Sequence, residues 1–310
     1  MSNHRYHRFI NRLRCPQCHH QLRQDSARLE CLGCAAEYPI VNEIPILMNE
    51  SSQADSSSWL STEEGKKMVA EYAQVNNGAS QEKPSLLERL IGVLRPPEVM
   101  LDYRKQARHH PRDQIWCANG RSNLVLNVGG GPQRESDSPD EITLNLQPFY
   151  NVDLVGDAHN LPAQDNCFDA VLSMAVLEHV NNPQRVVAEM IRVLKPGGQL
   201  YSEVPFIFFY HGYPSDYTRF TRDGMKQLFS DLEEVEVGMT HGPVSATLQC
   251  GNTLLQILVP TRLRIVRKLI NGAYRWLFFV FKYLDLLLKN REDAHLLAGG
   301  FYVVGRKPAE

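Results

Sequence analysis

The 310-residue chain lacks any uncharged apolar run close to the roughly 18 residues that a membrane-spanning helix needs. Its first residues are basic, but no apolar segment of the kind found in secretory signals follows them. The formal net charge is −2, so the overall positive charge typical of polyanion-binding proteins is also missing. We therefore expect neither a membrane-spanning helix nor a general nucleic-acid-binding protein.

Cysteine is too sparse and too unevenly placed for a disulfide framework. Of seven cysteines, four form two close pairs, Cys15 with Cys18 and Cys31 with Cys34. Four thiolates from two tight turns suit tetrahedral Zn²⁺, and a filled coordination shell leaves no open position for catalysis. The pattern predicts a structural zinc ribbon in residues 1–48 and a reduced, cytoplasmic setting.

The residues around these cysteines carry a resemblance. The pattern Cys-Pro-x-Cys … Cys-x-x-Cys-x-x-x-Tyr-Pro-Ile-Val-x-x-Ile-Pro, at 14–48, resembles the small zinc-ribbon protein that activates several RNA and protein methyltransferases. In that family the unit stabilises or positions a methyltransferase. The resemblance therefore implies a structural or recognition role for this unit rather than chemistry.

Residues 49–122 separate the cysteine unit from the first strand of the main domain. A polar, serine-rich stretch at 49–58 predicts a linker. Apolar residues then recur at helical spacing in 59–74, 84–93 and 98–109, which predicts three helices before the sheet.

The rest of the chain, 123–310, is organised around a glycine turn. An apolar run at 123–128 leads at once into Gly129, Gly130 and Gly131, which predicts a buried strand entering a tight turn. Glycines there let a ligand approach the backbone closely, because no Cβ intervenes. Further apolar runs and a helical pattern at 183–194 alternate downstream, which predicts an α/β fold with a mainly parallel sheet.

Three motifs in this region are specific in combination. They are Leu161-Pro-x-x-x-x-x-Phe168-Asp-Ala-Val, Val176-Leu-Glu-His-Val180 and Arg192-Val-Leu-Lys-Pro-Gly-Gly198. Together they resemble the class I S-adenosylmethionine-dependent methyltransferases, specifically the type 11 methyltransferase domain. The resemblance implies a Rossmann-like sheet of seven strands, mainly parallel, with an antiparallel last strand. It also implies S-adenosylmethionine as the cofactor and methyl transfer as the activity.

The same resemblance implies which residues bind the cofactor. The backbone of the glycine turn would pass under the methionine part, and Asn145 would hold the ribose hydroxyls. Asp157 and Ala158 would meet the adenine, while Ser173 and Met174 would border the methyl-transfer site. The full implied set is Asn127, Gly129, Gly130, Gly131, Asn145, Asp157, Ala158, Ser173 and Met174.

Two of these positions depart from the family pattern. Asn127 and Asn145 stand where the family usually carries an acid, so the stronger charge-assisted hydrogen bonds of a carboxylate are lost. The segments 132–140 and 147–151 are also too short for full crossover helices. A non-catalytic, degenerate fold that acts as a binding module is therefore the alternative to an enzyme.

Candidates for the chemistry follow the fourth and fifth strands. Glu178 and His179 could act as a general base, or they could brace the adjacent helix. After the fifth strand, His211 and Asp216 could form an acid–base pair and Arg219 could hold an anionic acceptor. The alternative is an Asp216–Arg219 pair that only fixes the loop.

This loop also suggests a substrate. Its pattern His-x-x-Pro-x-Asp-Tyr-x-Arg-Phe-Thr resembles bacterial methyltransferases associated with glycan or cell-surface biosynthesis. With Arg219, Tyr210 and Tyr217 are its candidate substrate contacts. We expect a cell-surface glycan or lipid-linked precursor as the acceptor. An RNA or translation-factor substrate is the alternative, and it rests only on the resemblance of the zinc ribbon.

A helical insert at about 245–292 is expected before the last strand. Its segment 254–291 combines apolar residues with eight basic ones, and Asp285 is its only acid. Such a composition predicts contact with a membrane surface, or a packed lid or homodimer interface, with nucleic acid a weaker candidate. Membrane contact would place the cytoplasmic protein at the inner membrane face.

Overall fold

The structure is a computed structural model. It describes residues 9–25, 28–41, 44–49, 95–106, 110–118, 121–131, 138, 140–148, 151–212 and 215–309. The helices predicted at 59–74 and 84–93, and nearly all of the predicted linker, lie outside the described residues.

One large sheet organises the described residues. The strands of the described residues are β1 (Leu22–Asp25), β2 (Arg28–Cys31), β3 (Glu37–Val41), β4 (Ile44–Leu47), β5 (Cys117–Ala118), β6 (Arg121–Ser122), β7 (Val125–Val128), β8 (Glu141–Asn145), β9 (Leu154–Gly156), β10 (Phe168–Met174), β11 (Leu194–Pro205), β12 (Glu233–His241) and β13 (Gly300–Arg306). Strands β5 and β6 pair only with each other, and the others form the large sheet. The order across the sheet is β1-β2-β3-β4-β9-β8-β7-β10-β11-β13-β12.

The topology is Rossmann-like. Strands β9, β8, β7, β10 and β11 are parallel neighbours, and β13 runs antiparallel between β11 and β12. The mainly parallel sheet with an antiparallel last strand is therefore present as expected. Across the described residues the sheet has eleven strands: β7 to β13 of the main domain account for the expected seven, and the prediction did not include the other four in the same sheet.

The four additional strands come from the cysteine unit. Strand β4 pairs in parallel with β9 through Ile46 and Leu47, so the unit extends the edge of the main sheet. An uncovered edge strand would expose unpaired backbone groups, which explains why β9 is covered. The sequence patterns of the two parts gave no sign of this pairing, because it depends on how the parts meet.

Side chains also join the cysteine unit to the main domain. Phe9, Leu13 and Leu29 belong to the same buried cluster as Leu161 and Phe168. The backbone amide of Arg14 donates to the carbonyl of Pro162 at 3.1 Å. The cysteine unit is therefore packed against the main domain and shares its core.

The helices lie mainly in the second half of the chain. They are α1 (Pro183–Val193), α2 (Arg222–Leu228), α3 (Pro243–Leu258), α4 (Arg264–Phe278) and α5 (Asp285–Leu288), with 3₁₀ turns at Ile10–Arg12, Tyr103–Lys105, Pro111–Gln114, Ala158–Asn160, Phe279–Leu284 and Ala294–Leu297. Asn182 caps α1 by accepting from the backbone amide of Arg185 at 3.1 Å. Helices α3 to α5 form the predicted helical insert, which lies between β12 and β13.

One predicted helix is wrong. Within 98–106 the described chain forms only the 3₁₀ turn Tyr103–Lys105. Asp102 instead forms an isolated antiparallel bridge with His241, and its side chain caps the turn at Arg104. Contact with β12 therefore overrides the helical spacing. No helix in the described part of the chain is long and apolar enough to cross a membrane.

Candidate active site and cysteine cluster

The glycine turn after β7 is closed on one side and open on the other. Gly129 has φ +76°, and an added Cβ there would lie 2.2 Å from a methyl carbon of Val176. At Gly130 an added Cβ would lie 2.4 Å from the methyl carbon of Thr143. At Gly131 it would meet no atom of the described residues within 4 Å. The turn therefore needs glycine at its first two positions and leaves space for a ligand at the third.

Asn127 is turned into the core beside this turn. Its side-chain amide donates to the Glu141 carboxylate at 3.0 Å, and the other Glu141 oxygen accepts from the Trp116 indole at 3.2 Å. An acid at 127 would place two carboxylates face to face in a buried site. The usual acid is therefore incompatible with Glu141, a partner that the sequence analysis missed because only strand register brings it close.

Asn145 lies where the prediction placed it, at the end of β8 and against the glycine turn. Its side-chain nitrogen donates to the carbonyl of Gly130 at 2.9 Å, and its oxygen accepts from the backbone amide of Gln147 at 3.0 Å. The amide therefore braces the turn, which a carboxylate, having no donor, could not do. Its predicted contact with the ribose stays a prediction.

Asp157 and Ala158 follow β9 on the same edge. An Asp157 oxygen accepts from the backbone amide and the ring Nδ1 of His159, at 2.9 and 2.8 Å. It thereby caps the 3₁₀ turn that begins at the buried Ala158. The predicted adenine contact of Asp157 would have to coexist with this cap.

Ser173 and Met174 end β10 and point to opposite faces of the sheet, because side chains alternate along a strand. The Ser173 hydroxyl is buried and has no hydrogen-bond partner among the described residues. Met174 packs instead against the apolar cluster that contains Leu172 and Tyr201. Only Ser173 therefore shares the face on which the large core lies.

Glu178, His179 and His211 come together beyond β10. The buried Glu178 carboxylate has one oxygen 3.8 Å from Nε2 of His179 and 3.6 Å from Nε2 of His211. The two imidazole rings meet edge to face at 4.9 Å. The Glu178 carboxylate, opposed by partial burial, raises the pKa of His211. The sequence analysis expected Glu178 beside His179, and His211 beside Asp216, but not the contact of His211 with Glu178; the catalytic roles stay predictions.

Asp216 lies between His211 and Arg219. Both terminal nitrogens of the Arg219 guanidinium donate to its carboxylate, which also accepts from the backbone amide of His211 at 3.0 Å. Burial acts against it, but the hydrogen bonds from Arg219 lower the pKa of Asp216. The geometry favours the loop-fixing pair over an Arg219 that holds an anionic acceptor. Tyr210 and Tyr217 are exposed at the same loop.

A cavity of about 150 Å³ opens beside this cluster. Its lining includes Glu178, Glu203, Phe208, His211 and His241. It lies at the carboxyl ends of the parallel strands β10 and β11, where ligands enter open α/β sheets. The cluster therefore faces a space that a small part of an acceptor could enter.

Glu203, which lines the cavity, belongs to a charge network that the sequence analysis missed. The Arg104 guanidinium bridges Asp102 at 2.7 Å and Glu203 at 2.6 Å, and the Tyr201 hydroxyl donates to Glu203 at 3.0 Å. Burial raises the pKa of Glu203 and lowers that of His241 to about 4. Only the position of Glu203 near the end of a strand could have indicated it.

The four paired cysteines form a second cluster in the N-terminal unit. The sulfur atoms of Cys15 and Cys34 lie 3.7 Å apart, and those of Cys18 and Cys31 lie 3.3 Å apart. All four lie within 4.8 Å of one another. A tetrahedral Zn²⁺ with bonds of about 2.3 Å holds its sulfurs about 3.8 Å apart, so this donor set fits the ion.

Backbone amides support the same cluster. Those of Gly33 and Cys34 donate to the Cys31 sulfur at 3.3 and 3.5 Å. Burial opposes the effect, but these hydrogen bonds help to lower the pKa of the Cys31 thiol to about 6. The turn therefore favours a thiolate, which is the form that binds metal.

A comparison with protein families identifies a methyltransferase domain within the chain. Residues 137–202 match the sequence model of the family described as Methyltransferase domain. The matched segment contains Asn145, Asp157 and Glu178 but begins after the glycine turn. It supports the resemblance to S-adenosylmethionine-dependent methyltransferases that the motifs carried.

Individual relatives match over short stretches. The demethylmenaquinone methyltransferase of Renibacterium salmoninarum is 53% identical over 47 residues, 15% of this chain and 20% of that protein. The enzyme of the same name from Listeria welshimeri is 40% identical over 80 residues, 26% of this chain and 29% of that protein. The chain thus spans less than a third of the length of these relatives.

One of the solved structures that resemble this chain is only distantly similar to it. A SAM-dependent methyltransferase of Thermotoga maritima has 15% sequence identity and a TM-score of 0.37, over 60% of this chain and 83% of its own.

Proposed function

We propose that the protein is an S-adenosylmethionine-dependent methyltransferase. The observation that carries the proposal is the open side of the glycine turn at Gly131, on the sheet edge that also carries the matched methyltransferase motifs. Within the described part of the chain no atom lies within 4 Å of an added Cβ at Gly131, which suits a ligand that lies against the backbone. The site thus fits the cofactor that the family binds.

The chain's own residues divide the task along this edge. S-adenosylmethionine, when bound, supplies a methyl group on a sulfonium sulfur, which an acceptor atom displaces in line. Asn145 holds the turn in place through the Gly130 carbonyl, and the cavity beside Glu178 receives the acceptor. Alignment of the two reactants, with water excluded, supplies most of the rate enhancement in such a reaction.

A matched pair of variants tests cofactor binding. In Gly131→Leu the added Cβ meets no atom of the described residues within 4 Å, so we expect the fold to survive while affinity for S-adenosylmethionine falls at least about tenfold. Gly272→Ala, in α4 and with ordinary contact to Pro96, is the control. Thermal shift with added cofactor measures both. Equal shifts in wild type and Gly131→Leu would contradict the proposed binding mode.

We also propose that the N-terminal unit holds one structural Zn²⁺. The four sulfurs are already spaced for a tetrahedral ion, and the small unit has few apolar residues to stabilise it alone. Because β4 completes the edge of the main sheet, loss of zinc should destabilise the main domain as well. Metal analysis should find one zinc per chain, lost in Cys31→Ser and kept in Cys250→Ser.

The insert supports a proposal about the acceptor. No residue of α4 is buried, and large apolar side chains are exposed along α3 to α5. The most exposed are Leu254, Ile257, Leu258, Ile265, Leu269, Leu277 and Leu287. We call this set the apolar face.

The exposed charges within 254–291 are basic, while Glu98, outside the segment, pairs with Arg275 at 2.6 Å. Arg262, Arg264, Lys268 and Lys289 are exposed, whereas Asp285 is buried and accepts from the first backbone amides of α3. Exposed apolar side chains with cations are typical of helices that lie on anionic membrane surfaces. We therefore propose that the protein docks on such a surface and methylates a lipid-linked acceptor there.

Vesicle binding tests the docking. Ile265→Asp should weaken partition onto vesicles of anionic lipid by about tenfold or more, because it removes one fully inserted apolar side chain. Leu32→Asp, at an exposed leucine of the cysteine unit, should leave partition unchanged. The docking proposal fails if wild type does not bind anionic vesicles and instead sediments as a dimer that Ile265→Asp dissociates. The apolar face would then be a homodimer interface.

A further inference from the structure

Three groups that can each accept a proton or bind a metal converge on one point beside the cavity. They are one Glu178 oxygen and Nε2 of His179 and of His211, with separations of 3.8 and 3.6 Å from the carboxylate. All three lie within 4.8 Å of one another. Metal–nitrogen bonds of about 2.0–2.1 Å place neighbouring ligand atoms about 3.3 Å apart. Small shifts of the three side chains would therefore bring their ligand atoms to metal-binding distance.

Hydrogen bonds orient the two imidazoles toward this point. Nδ1 of His179 lies 2.6 Å from the carbonyl of Ser215. Because a carbonyl can only accept, Nδ1 carries the proton and Nε2 presents its lone pair toward Glu178. Nδ1 of His211 lies 3.4 Å from the carbonyl of Phe209 and 3.5 Å from both the Asp216 carboxylate and a guanidinium nitrogen of Arg219; the two oxygens favour a proton on Nδ1. Metal-binding histidines usually have such a partner on the second nitrogen.

Glu178 supplies the second, independent observation. Its side chain is fully buried, and neither carboxylate oxygen has a hydrogen-bond partner among the described residues. A buried carboxylate without hydrogen bonds is costly, so a positive charge is needed close to it. His211 could supply that charge only as an imidazolium, with Nε2 3.6 Å from the carboxylate, and the Arg219 guanidinium beside His211 is already held by Asp216 in a bidentate pair.

We propose that Glu178, His179 and His211 form a binding site for one divalent first-row cation such as Zn²⁺ or Mn²⁺. Two imidazole nitrogens and one carboxylate suit these ions better than Mg²⁺, which prefers oxygen ligands. Three protein ligands leave coordination positions open, and these face the cavity. The cation would hold an oxygen atom of the acceptor beside the methyl-transfer site. That positioning role rests on the proposed function, whereas the binding of the ion does not.

The two metal clusters differ enough to be measured separately. The four-cysteine cluster prefers Zn²⁺, whereas Mn²⁺ favours oxygen and nitrogen donors. Full-length protein with one zinc per chain is therefore titrated with Mn²⁺ and followed by electron paramagnetic resonance. We expect one further equivalent to bind, and its affinity to fall at least tenfold in Glu178→Gln and in His211→Ala. The control His295→Ala, outside the cluster, should bind like wild type.

The variants keep the test decisive. Glu178→Gln keeps the size of the side chain, so it reports on the site even if His211→Ala fails to fold. The proposal is overturned if wild type binds no second cation, or if Glu178→Gln binds it as well as wild type does. Cofactor affinity is measured on the same samples. Loss of cofactor binding with intact Mn²⁺ binding would count against the proposed function and leave the cation site standing.

Discussion

The cofactor side and the acceptor side of the sheet edge use their polar residues differently. On the cofactor side, the side-chain nitrogens of Asn127 and Asn145 each donate a hydrogen bond within the protein, although Oδ1 of Asn127 accepts none from a described residue. On the acceptor side, neither oxygen of the buried, charged Glu178 side chain has a hydrogen bond from a described residue. The difference indicates that the two asparagines brace the cofactor side before anything binds, whereas the acceptor side is arranged around a positive group that no described residue supplies through a hydrogen bond to the carboxylate.

The largest expected effect comes from restoring the family's usual acid in the first motif. Asn127→Asp would replace the donor to Glu141 with a second buried carboxylate, and we expect unfolding free energy to fall by about 3–5 kcal/mol. The pKa of the carboxyl pair would rise in the folded state, so the loss should be full above that raised value, shrink as pH falls through it, and be gone below the ordinary carboxyl value of about 4. Urea unfolding measures it.

A double variant checks the cause. Adding Glu141→Gln should recover most of the stability, since a glutamine at position 141 can donate to the carboxylate introduced at position 127. If the double variant is as unstable as the sum of the single changes, the Asn127–Glu141 contact does not explain the asparagine.

A smaller effect separates two neighbouring glycines. Gly130→Ala should cost about 1–3 kcal/mol, because its Cβ would collide with Thr143. Gly131→Ala should change stability by no more than about 0.5 kcal/mol, because its Cβ meets no atom of the residues that the structure describes. Equal costs, measured by thermal unfolding without cofactor, would contradict the description of a turn open on one side.

Asn145→Asp should cost about 1–2 kcal/mol, although it restores the family's usual acid. The carboxylate would lose the hydrogen bond to the Gly130 carbonyl and face that oxygen instead. Asn271→Asp, at an asparagine of α4, controls for the change of charge. A more stable Asn145→Asp variant would show that the amide does not brace the turn.

On the acceptor side we expect a substitution to increase the unfolding free energy instead of decreasing it. This effect should be the smallest of the series. In protein dialysed to one zinc per chain, Glu178→Gln should raise the unfolding free energy by about 1 kcal/mol, since it removes an uncompensated buried charge. A loss of stability on denaturant unfolding would show that another group already satisfies the carboxylate, and the contrast between the two sides would disappear.

The sequence predicted the parts of the fold that depend on the pattern of neighbouring residues. The glycine turn, the strands around it and the helical insert follow from apolar periodicity, and the structure has them. The eleven-stranded sheet and the failed helix at 98–109 depend on long-range pairing, of β4 with β9 and of Asp102 with His241. No local pattern carries such information.

The same distinction applies to the site. Glu178 and His179 are adjacent in a motif, so they could be predicted together. Glu141 and Glu203 act on Asn127 and on the cavity only through strand register, so composition and spacing do not point to them. The two asparagines suggested a weakened cofactor site from the sequence, whereas their hydrogen bonds in the structure indicate a braced one.

Calorimetric titration of the wild-type protein with S-adenosylmethionine tests the central claim most directly. A braced glycine turn that is open at Gly131 predicts a single site that saturates at micromolar cofactor, with heat that disappears in Gly131→Leu. The absence of binding at millimolar cofactor, in folded protein with its zinc in place, would contradict the claim and favour a non-catalytic binding module.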